Sequence, residues 1–246
     1  MMATDQVLRK QQLFINPTAR LAVCLVLDCS PSMSGRREWG ATVQQLNPSP
    51  IEELNEGVRE FFDAVQHDEI AAYSAEVGIV RFDARAETVV DFSSIIDAEA
   101  PTLELMEQGT SIGNAVNLAL DMLEQRKAEY REAGIDYYQP WLVLMTDGYP
   151  NDDAHVAAAH RTSQLLDARR LTTFCVGIGD GADFSTLRTF ATSERPPLRL
   201  RQFAFRDFFE WLSRSIHQVS QTTPGEAPQM PSTQSWADPA GPDEPW

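Results

Sequence analysis

The sequence predicts an α/β fold with a doubly wound, mostly parallel central sheet, one antiparallel edge strand and helices on both faces. Two observations lead to this prediction. The continuous apolar runs Leu21 to Leu27 and Trp141 to Met145 are typical of central parallel strands, which are buried on both faces. Such runs alternate along the chain with segments of helical periodicity, as in doubly wound folds.

Shorter patterns extend this alternation through most of the chain. Ser49 and Glu52 are spaced as a capping box, so a helix is expected to begin there. The segment Asp83 to Arg85 is typical of a tight turn, which makes the flanking strands antiparallel neighbours. Further strands are predicted near residues 75–82, 87–92, 171–178 and 198–203. Helices are predicted at 49–65, 112–123, 153–169, 184–191 and 205–219.

One domain accounts for most of the 246 residues. Residues 1–20 are expected to lead into the first strand, and residues 21–220 to form the α/β domain. Residues 221–246 are rich in Pro, Gly, Ser and Glu and contain few large apolar groups. Because such a composition buries little apolar surface, this segment is predicted to be a flexible tail.

Composition limits the classes of partner. The chain has 20 Lys and Arg against 36 Asp and Glu, which gives a formal charge of −16. This balance argues against nucleic acid and anionic membranes as main partners, because both are bound through Lys and Arg. No apolar stretch approaches the roughly 20 residues that span a bilayer. The three cysteines include no CxxC pair and argue against a disulfide framework, so a cytoplasmic location is expected.

Three separated polar segments are expected to meet at one edge of the sheet. Asp28, Ser30 and Ser32 follow the first apolar run, Thr110 precedes a helix, and Asp147 follows the second apolar run. Ligands of doubly wound sheets bind beyond the carboxyl ends of the strands, where these residues fall. Their oxygen atoms form the ligand set that Mg²⁺ or Mn²⁺ prefers. An exchangeable water on such an ion can be replaced by an Asp or Glu of a protein partner.

Two other functions use the same residues. The ion could serve a metal-dependent phosphohydrolase, or it could be purely structural in a scaffold protein. A haloacid-dehalogenase-type phosphatase is disfavoured, since it requires a second Asp where Ser30 stands. Nucleotide binding at Gly177 to Ala182 is disfavoured because no acidic residue about 20 positions later follows a new strand, and Glu194 lies in a Pro-rich loop. The pattern therefore favours a binding module and predicts no enzyme activity.

The order Asp-x-Ser-x-Ser, Thr and Asp resembles the metal-ion-dependent adhesion site (MIDAS) of von Willebrand factor type A (VWA) domains. The resemblance covers about residues 20–220 and implies the strand order 3-2-1-4-5-6. It also implies that Ser30 and Ser32 bind the ion directly and that Thr110 does so directly or through water. Asp28 and Asp147 are implied to act mainly through water and through hydrogen bonds to the serines.

A narrower resemblance is to the bacterial tellurium-resistance VWA proteins called TerY-like. It is carried by Asn55 to Val58, Gly109 to Gly113, Tyr137 to Asp147 and Gly177 to Asp183. It implies a bacterial stress-response or signalling role, with protein kinases or PP2C-type phosphatases as partners.

The chain departs from the VWA pattern at two places. Pro31 stands where Gly is usual, and proline fixes φ and removes a backbone donor. Residues near 36–49 resemble an insertion beside the metal loop. This segment carries Arg36, Arg37, Glu38 and Trp39, and arginine and tryptophan are common interface anchors. The insertion is therefore expected to influence the choice of partner.

Overall fold

The computed structural model describes residues 18–39, 42–96, 98–106, 109–150, 153–179, 181–201, 204–226 and 228–240. Within these residues the strands are β1 (Leu21–Asp28), β2 (Arg36–Trp39), β3 (Thr42–Gln45), β4 (Ala75–Phe82), β5 (Ala86–Ser94), β6 (Trp141–Thr146), β7 (Thr172–Ile178), β8 (Leu198–Leu200) and β9 (Ala237–Pro239). The α-helices are α1 (Pro50–Gln66), α2 (Ala71–Ser74), α3 (Ile112–Ala133), α4 (Ala154–Asp167), α5 (Phe184–Thr189) and α6 (Phe205–Ser220).

The central sheet has the order β5-β4-β1-β6-β7-β8-β9. Strands β4, β1, β6, β7 and β8 are parallel, and β5 and β9 run antiparallel at the two edges. Numbered within this sheet, the first six strands have the order 3-2-1-4-5-6. The predicted fold class is confirmed, as is the antiparallel pairing of the strands around Asp83 to Arg85. The second antiparallel edge strand, β9, was not predicted.

Strand β1 lies at the centre of the sheet and separates two apolar layers. Leu21, Val23, Leu25 and Leu27 face the layer that contains α1 and α6. Ala22, Cys24 and Val26 face the layer that contains α3, α4 and α5. All eight residues of β1 are buried, which explains why its sequence is a continuous apolar run rather than an alternating pattern.

The register of the sheet aligns the ends of the central strands. Asp28 pairs with Phe82 of β4, and Leu27 pairs with Met145 of β6. The segments that follow β1, β4 and β6 therefore leave the sheet at the same edge. At the start of α1, the Glu52 carboxylate accepts a hydrogen bond of 2.8 Å from Ser49 N, as the capping box predicts.

The segment at 36–49, which resembles an insertion in the sequence, contains two short strands. Residues 36–39 and 42–45 form the small antiparallel hairpin β2–β3. Its sequence lacks the apolar alternation of a half-buried strand because Val43, Gln44 and Gln45 are exposed. The side chains of Arg37, Glu38 and Trp39 lie outside the described residues, as do residues 1–17 of the predicted lead-in.

Residues 228–240, within the segment predicted to be a tail, pack against the domain. Strand β9 pairs with β8, and Trp236 is buried 5.1 Å from the Phe208 ring and 5.3 Å from the Trp211 ring, measured between centroids. The indole nitrogen of Trp211 donates a 2.9 Å hydrogen bond to the Pro231 carbonyl. The polar average composition of this segment gave no indication that Trp236 is buried.

Candidate metal centre

Asp28 ends β1, and its side chain links the loop that follows β1 to the end of β6. Its side chain is fully buried. One carboxylate oxygen, Oδ1, accepts a 2.9 Å hydrogen bond from Ser30 N, and Oδ2 accepts a 2.5 Å hydrogen bond from the Thr146 hydroxyl. Because Thr146 ends β6, Asp28 is fixed both by its own loop and by the adjacent strand.

The two serines extend this network to Asp147. Ser30 Oγ and Ser32 Oγ share a hydrogen bond of 2.8 Å, and Ser32 Oγ donates to Asp147 Oδ1 at 2.7 Å. Ser30 is buried and Ser32 is exposed, so the chain of oxygens runs from the core to solvent. A hydroxyl and a carboxylate from separate loops are thereby held within direct contact.

A 3₁₀ turn over Pro31–Ser34 brings the serines together. Pro31 occupies the first position of this turn, where a missing N–H costs little. Gly35 ends the turn with a φ of 71°, and its N–H donates to the Ser32 carbonyl at 3.2 Å. The departure at Pro31 is therefore compatible with the geometry of the loop.

Thr110 joins the cluster from the segment before α3. Gly109 has a φ of 69°, which favours glycine, and Ser111 N donates to the Asp83 carbonyl at 2.5 Å. A Cβ atom placed on Gly148 would lie 3.1 Å from Thr110 Oγ1. The absence of a side chain at Gly148 thus lets the threonine hydroxyl approach the backbone next to Asp147.

The structure brings all five predicted residues to one edge of the sheet. We call Asp28, Ser30, Ser32, Thr110 and Asp147 the oxygen cluster. Sequence reasoning missed Thr146, whose hydroxyl also accepts a 3.2 Å hydrogen bond from Gly148 N. The available signal was a single polar residue at the end of the apolar strand Trp141–Thr146, directly before Asp147.

The electrostatics of the oxygen cluster favour a cation. Burial and repulsion from Asp147 raise the pKa of Asp28 to about 6, although hydrogen bonds from Thr146 and Ser30 oppose the shift. Burial also raises the pKa of Asp147, against the hydrogen bonds from Ser32 and Ser30. Two neighbouring carboxylates and three hydroxyls form a donor set that fits a hard divalent ion, whose charge would offset their repulsion.

Comparison with known proteins identifies the family. The profile of the von Willebrand factor type A domain matches residues 22–215. The chain belongs to the VWA domain family. VWA domains are usually interaction modules rather than enzymes. Comparison with curated protein sequences finds no match.

Solved structures similar to this VWA domain share its fold at low sequence identity. A von Willebrand factor type A protein from Catenulispora acidiphila has a TM-score of 0.59 and 18% identity, over 81% of this chain and 43% of that one. Proximal thread matrix protein 1 from the mussel byssus, described with a zinc-occupied MIDAS motif, has a TM-score of 0.51 and 18% identity, over 82% and 48%. This VWA domain therefore spans about half the length of these two proteins.

A shorter relative matches over nearly its whole length. The conserved hypothetical protein BatB from Bacteroides thetaiotaomicron has a TM-score of 0.52 and 18% identity, over 79% of this chain and 98% of that one. In the described part of this VWA domain, no helix has both the length and the apolar character required to cross a membrane.

Proposed function

We propose that this VWA domain is a metal-dependent protein-binding module of the MIDAS type. Its oxygen cluster holds Mg²⁺ or Mn²⁺, and the bound ion supplies a coordination position for an Asp or Glu of a protein partner. The observation that carries the proposal is the hydrogen-bonded chain from Ser30 through Ser32 to Asp147, which unites two loops around two carboxylates of raised pKa.

The donor types support magnesium or manganese over zinc as the resident ion. Zinc sites are usually built from cysteine and histidine, whereas the oxygen cluster contains only hydroxyls and carboxylates. Magnesium keeps bound waters readily, and the exposure of Ser32 leaves one side of the cluster open to solvent. Because the mussel protein is described with zinc, zinc belongs in the same titration as a competing ion.

Metal binding is expected to stabilise the folded chain. An ion that binds only the folded state adds about 2.7 kcal/mol when its concentration is 100 times the dissociation constant. We expect Mg²⁺ and Mn²⁺ to raise the melting temperature and to give heat in titration calorimetry. Asp28→Asn is expected to remove both effects, since it deletes one of the two charges that attract the ion.

Asp63→Asn is the matched control for this experiment. Asp63 lies on α1 with 74% of its side chain exposed, so its replacement removes the same charge away from the oxygen cluster. This control is expected to retain the metal-dependent rise in melting temperature. The proposal is contradicted if the unmodified chain shows neither heat nor stabilisation with either ion.

The cellular role that we infer is that of a cytoplasmic adaptor in a bacterial stress-response or signalling complex. It is supported by the TerY-like segments of the sequence and by the buried, unpaired thiols of Cys24, Cys29 and Cys175, as expected in a reducing compartment. Kinases or PP2C-type phosphatases are the partners implied by that resemblance, and the charge of −16 disfavours nucleic acid. Partner capture that requires Mg²⁺ and is lost in EDTA is the expected result.

An assay on phosphate esters tests the enzyme alternative. We expect no hydrolysis above background in the presence of Mg²⁺ or Mn²⁺. Turnover that is abolished by Asp28→Asn would replace the binding proposal with a phosphohydrolase. Stabilisation by metal without any metal-dependent partner capture would instead indicate a structural ion.

A further inference from the structure

The end of strand β4 holds two of the segments that carry the oxygen cluster. The Phe82 carbonyl accepts a 2.9 Å hydrogen bond from the backbone N–H of Cys29, which follows Asp28. The next carbonyl, that of Asp83, accepts the 2.5 Å hydrogen bond from Ser111 N in the segment before α3. Two consecutive carbonyl groups therefore fix the loop after β1 and the segment before α3 relative to each other.

The side chain of Asp83 determines the conformation of the turn between β4 and β5. Asp83 is buried, with 2% of its surface exposed. Its Oδ1 accepts a 2.7 Å hydrogen bond from Arg85 N, and its own N–H donates to the Arg85 carbonyl at 2.9 Å. A carboxylate that accepts from the backbone two residues later forms an Asx turn, which stabilises the local backbone. We call residues 83–85 the Asp83 turn.

The Asp83 turn contacts both neighbours of Thr110. A Cβ atom placed on Gly109 would lie 3.1 Å from Ala84 Cβ and 3.4 Å from Ala84 Cα, so Gly109 packs closely on the turn. Ser111 is held by its hydrogen bond to the Asp83 carbonyl. Because Thr110 lies between two residues that the turn fixes, the turn also determines where the threonine hydroxyl lies.

We propose that Asp83 is a positioning residue for the metal site. Its carboxylate orders the Asp83 turn, and the turn holds Thr110 where its hydroxyl can bind the ion. The carboxylate acts on the backbone and is not itself a ligand. This inference rests on the proposed function of the oxygen cluster, and it gives a role to a buried acidic residue outside the five predicted ligands.

A third negative charge close to the cluster is the competing explanation for an acidic residue here. The two explanations differ in what the side chain must provide. Positioning requires an acceptor for Arg85 N, which asparagine supplies as readily as aspartate in Asx turns. Attraction or ligation of the ion requires the charge, which asparagine lacks. Asp83→Asn therefore separates the two roles, whereas Asp83→Ala removes both.

Titration calorimetry of the full chain with Mg²⁺ and with Mn²⁺ provides the measurement. We expect Asp83→Ala to weaken binding by about tenfold or more, as for other groups that orient metal ligands. Asp83→Asn is expected to bind both ions with nearly the affinity of the unmodified chain. Asp83→Ser keeps a weaker acceptor, so its affinity should be intermediate, and it replaces the alanine variant if that variant does not fold.

A double-variant cycle tests whether Asp83 acts through Thr110. Residues that act as a unit give losses that do not add, whereas independent sites give additive losses. We expect Asp83→Ala to weaken metal binding little further when Thr110→Ala is already present. In the absence of metal, hydrogen exchange of the Ser111 amide should be faster in Asp83→Ala and unchanged in Asp83→Asn.

Asp68→Ala is the matched control for a general loss of stability. The Asp68 carboxylate makes the same kind of local bond, accepting from Ile70 N at 3.0 Å and from Ala71 N at 2.8 Å. It lies before β4 begins, at the edge of the sheet opposite the oxygen cluster. We expect this variant to lower the melting temperature and to keep the affinity for both ions.

The outcomes distinguish the positioning role from the metal site itself. If the unmodified chain binds metal, the inference is overturned when Asp83→Ala binds equally well or when Asp83→Asn loses as much affinity as Asp83→Ala. Additive losses for Asp83→Ala and Thr110→Ala also overturn it. An unmodified chain that binds neither ion overturns the proposed function, and the positioning role with it.

Discussion

The hydroxyl of Thr146 supports the oxygen cluster without being one of its predicted ligands. It donates to Asp28 Oδ2 at 2.5 Å and accepts from Gly148 N at 3.2 Å. Partners that orient metal ligands commonly change metal affinity by 10- to 100-fold when they are removed. Replacement of the Thr146 hydroxyl by a methyl group therefore tests whether metal binding requires Asp28 to be held in this position.

We expect Thr146→Val to weaken Mg²⁺ binding by about tenfold or more. In the absence of metal it should lower the free energy of unfolding by about 1–3 kcal/mol, because a buried carboxylate loses a hydrogen bond. Titration calorimetry and denaturant unfolding measure the two effects. Thr146→Ser keeps the hydroxyl and should restore most of both. Equal behaviour of the valine and serine variants would contradict the role assigned to this hydroxyl.

The sequence could predict the five cluster residues but not Thr146. Asp28, Ser30 and Ser32 follow a strand at a recognisable spacing, and Asp147 follows another strand of the same kind. The partner of Thr146 lies 118 positions away, and a threonine at the end of a strand is common in sheets. The contact between Thr146 and Asp28 can be recognised only from the structure, in which the register of β1 and β6 brings the two side chains together.

Helix α5 depends on one charged cap. The Asp183 carboxylate accepts hydrogen bonds from Ser185 N, Thr186 N and both of their hydroxyls. Burial raises the pKa of Asp183, but these four hydrogen bonds together outweigh it, and the net pKa is below the ordinary value of 3.8. A carboxyl group with a lowered pKa in the folded state stabilises the fold above its unfolded pKa and stops doing so as the pH falls through the folded pKa.

Asp183→Ala is expected to cost about 1–2 kcal/mol of unfolding free energy at neutral pH. The difference from the unmodified chain should be constant from about pH 6 to 8 and should shrink below about pH 4, as Asp183 becomes protonated. Asp183→Asn keeps a capping oxygen without a titrating group and separates the two contributions. Denaturant unfolding as a function of pH provides the measurement. If the difference in unfolding free energy between Asp183→Ala and the unmodified chain increased as the pH fell, the stabilising role of the ionised Asp183 would be contradicted.

Regular elements with buried faces could be predicted more completely than exposed ones. The helix at 112–123 was found from its apolar spacing, but α3 continues to Ala133, and its last part buries Arg126, Lys127 and Tyr130. The pattern gave no sign of this, since arginine and lysine are usually exposed. The β2–β3 hairpin was missed for the opposite reason, because its described side chains from Val43 to Gln45 have no buried face.

At the scale of the whole molecule, residues 228–240 are packed on the domain although their composition is typical of a tail. Trp236 is 1% exposed and fills a site against Phe208 and Trp211 of α6. The position of β9 could not be predicted because the strand has only three residues and pairs with another three-residue strand. Its location is determined by the tryptophan and by β8, both of which require the folded sheet.

We expect Trp236→Ala to lower the free energy of unfolding by about 3–5 kcal/mol, as for other fully buried tryptophans. Ser235→Ala changes the adjacent exposed residue and should have little effect. Denaturant unfolding followed by circular dichroism compares the two variants. If Trp236→Ala unfolds at the same denaturant concentration as the unmodified chain, residues 228–240 do not contribute to the stability of the domain.

Strand β9 also prevents another molecule from adding a strand to β8. An open edge strand presents unpaired N–H and C=O groups to which another chain can add. Leu198, Arg199 and Leu200 are already paired with Ala237 to Pro239 of the same molecule. Intermolecular strand addition at β8 therefore has to wait until β9 detaches, so conditions that release Trp236 from its site are also the conditions under which this edge becomes prone to aggregation.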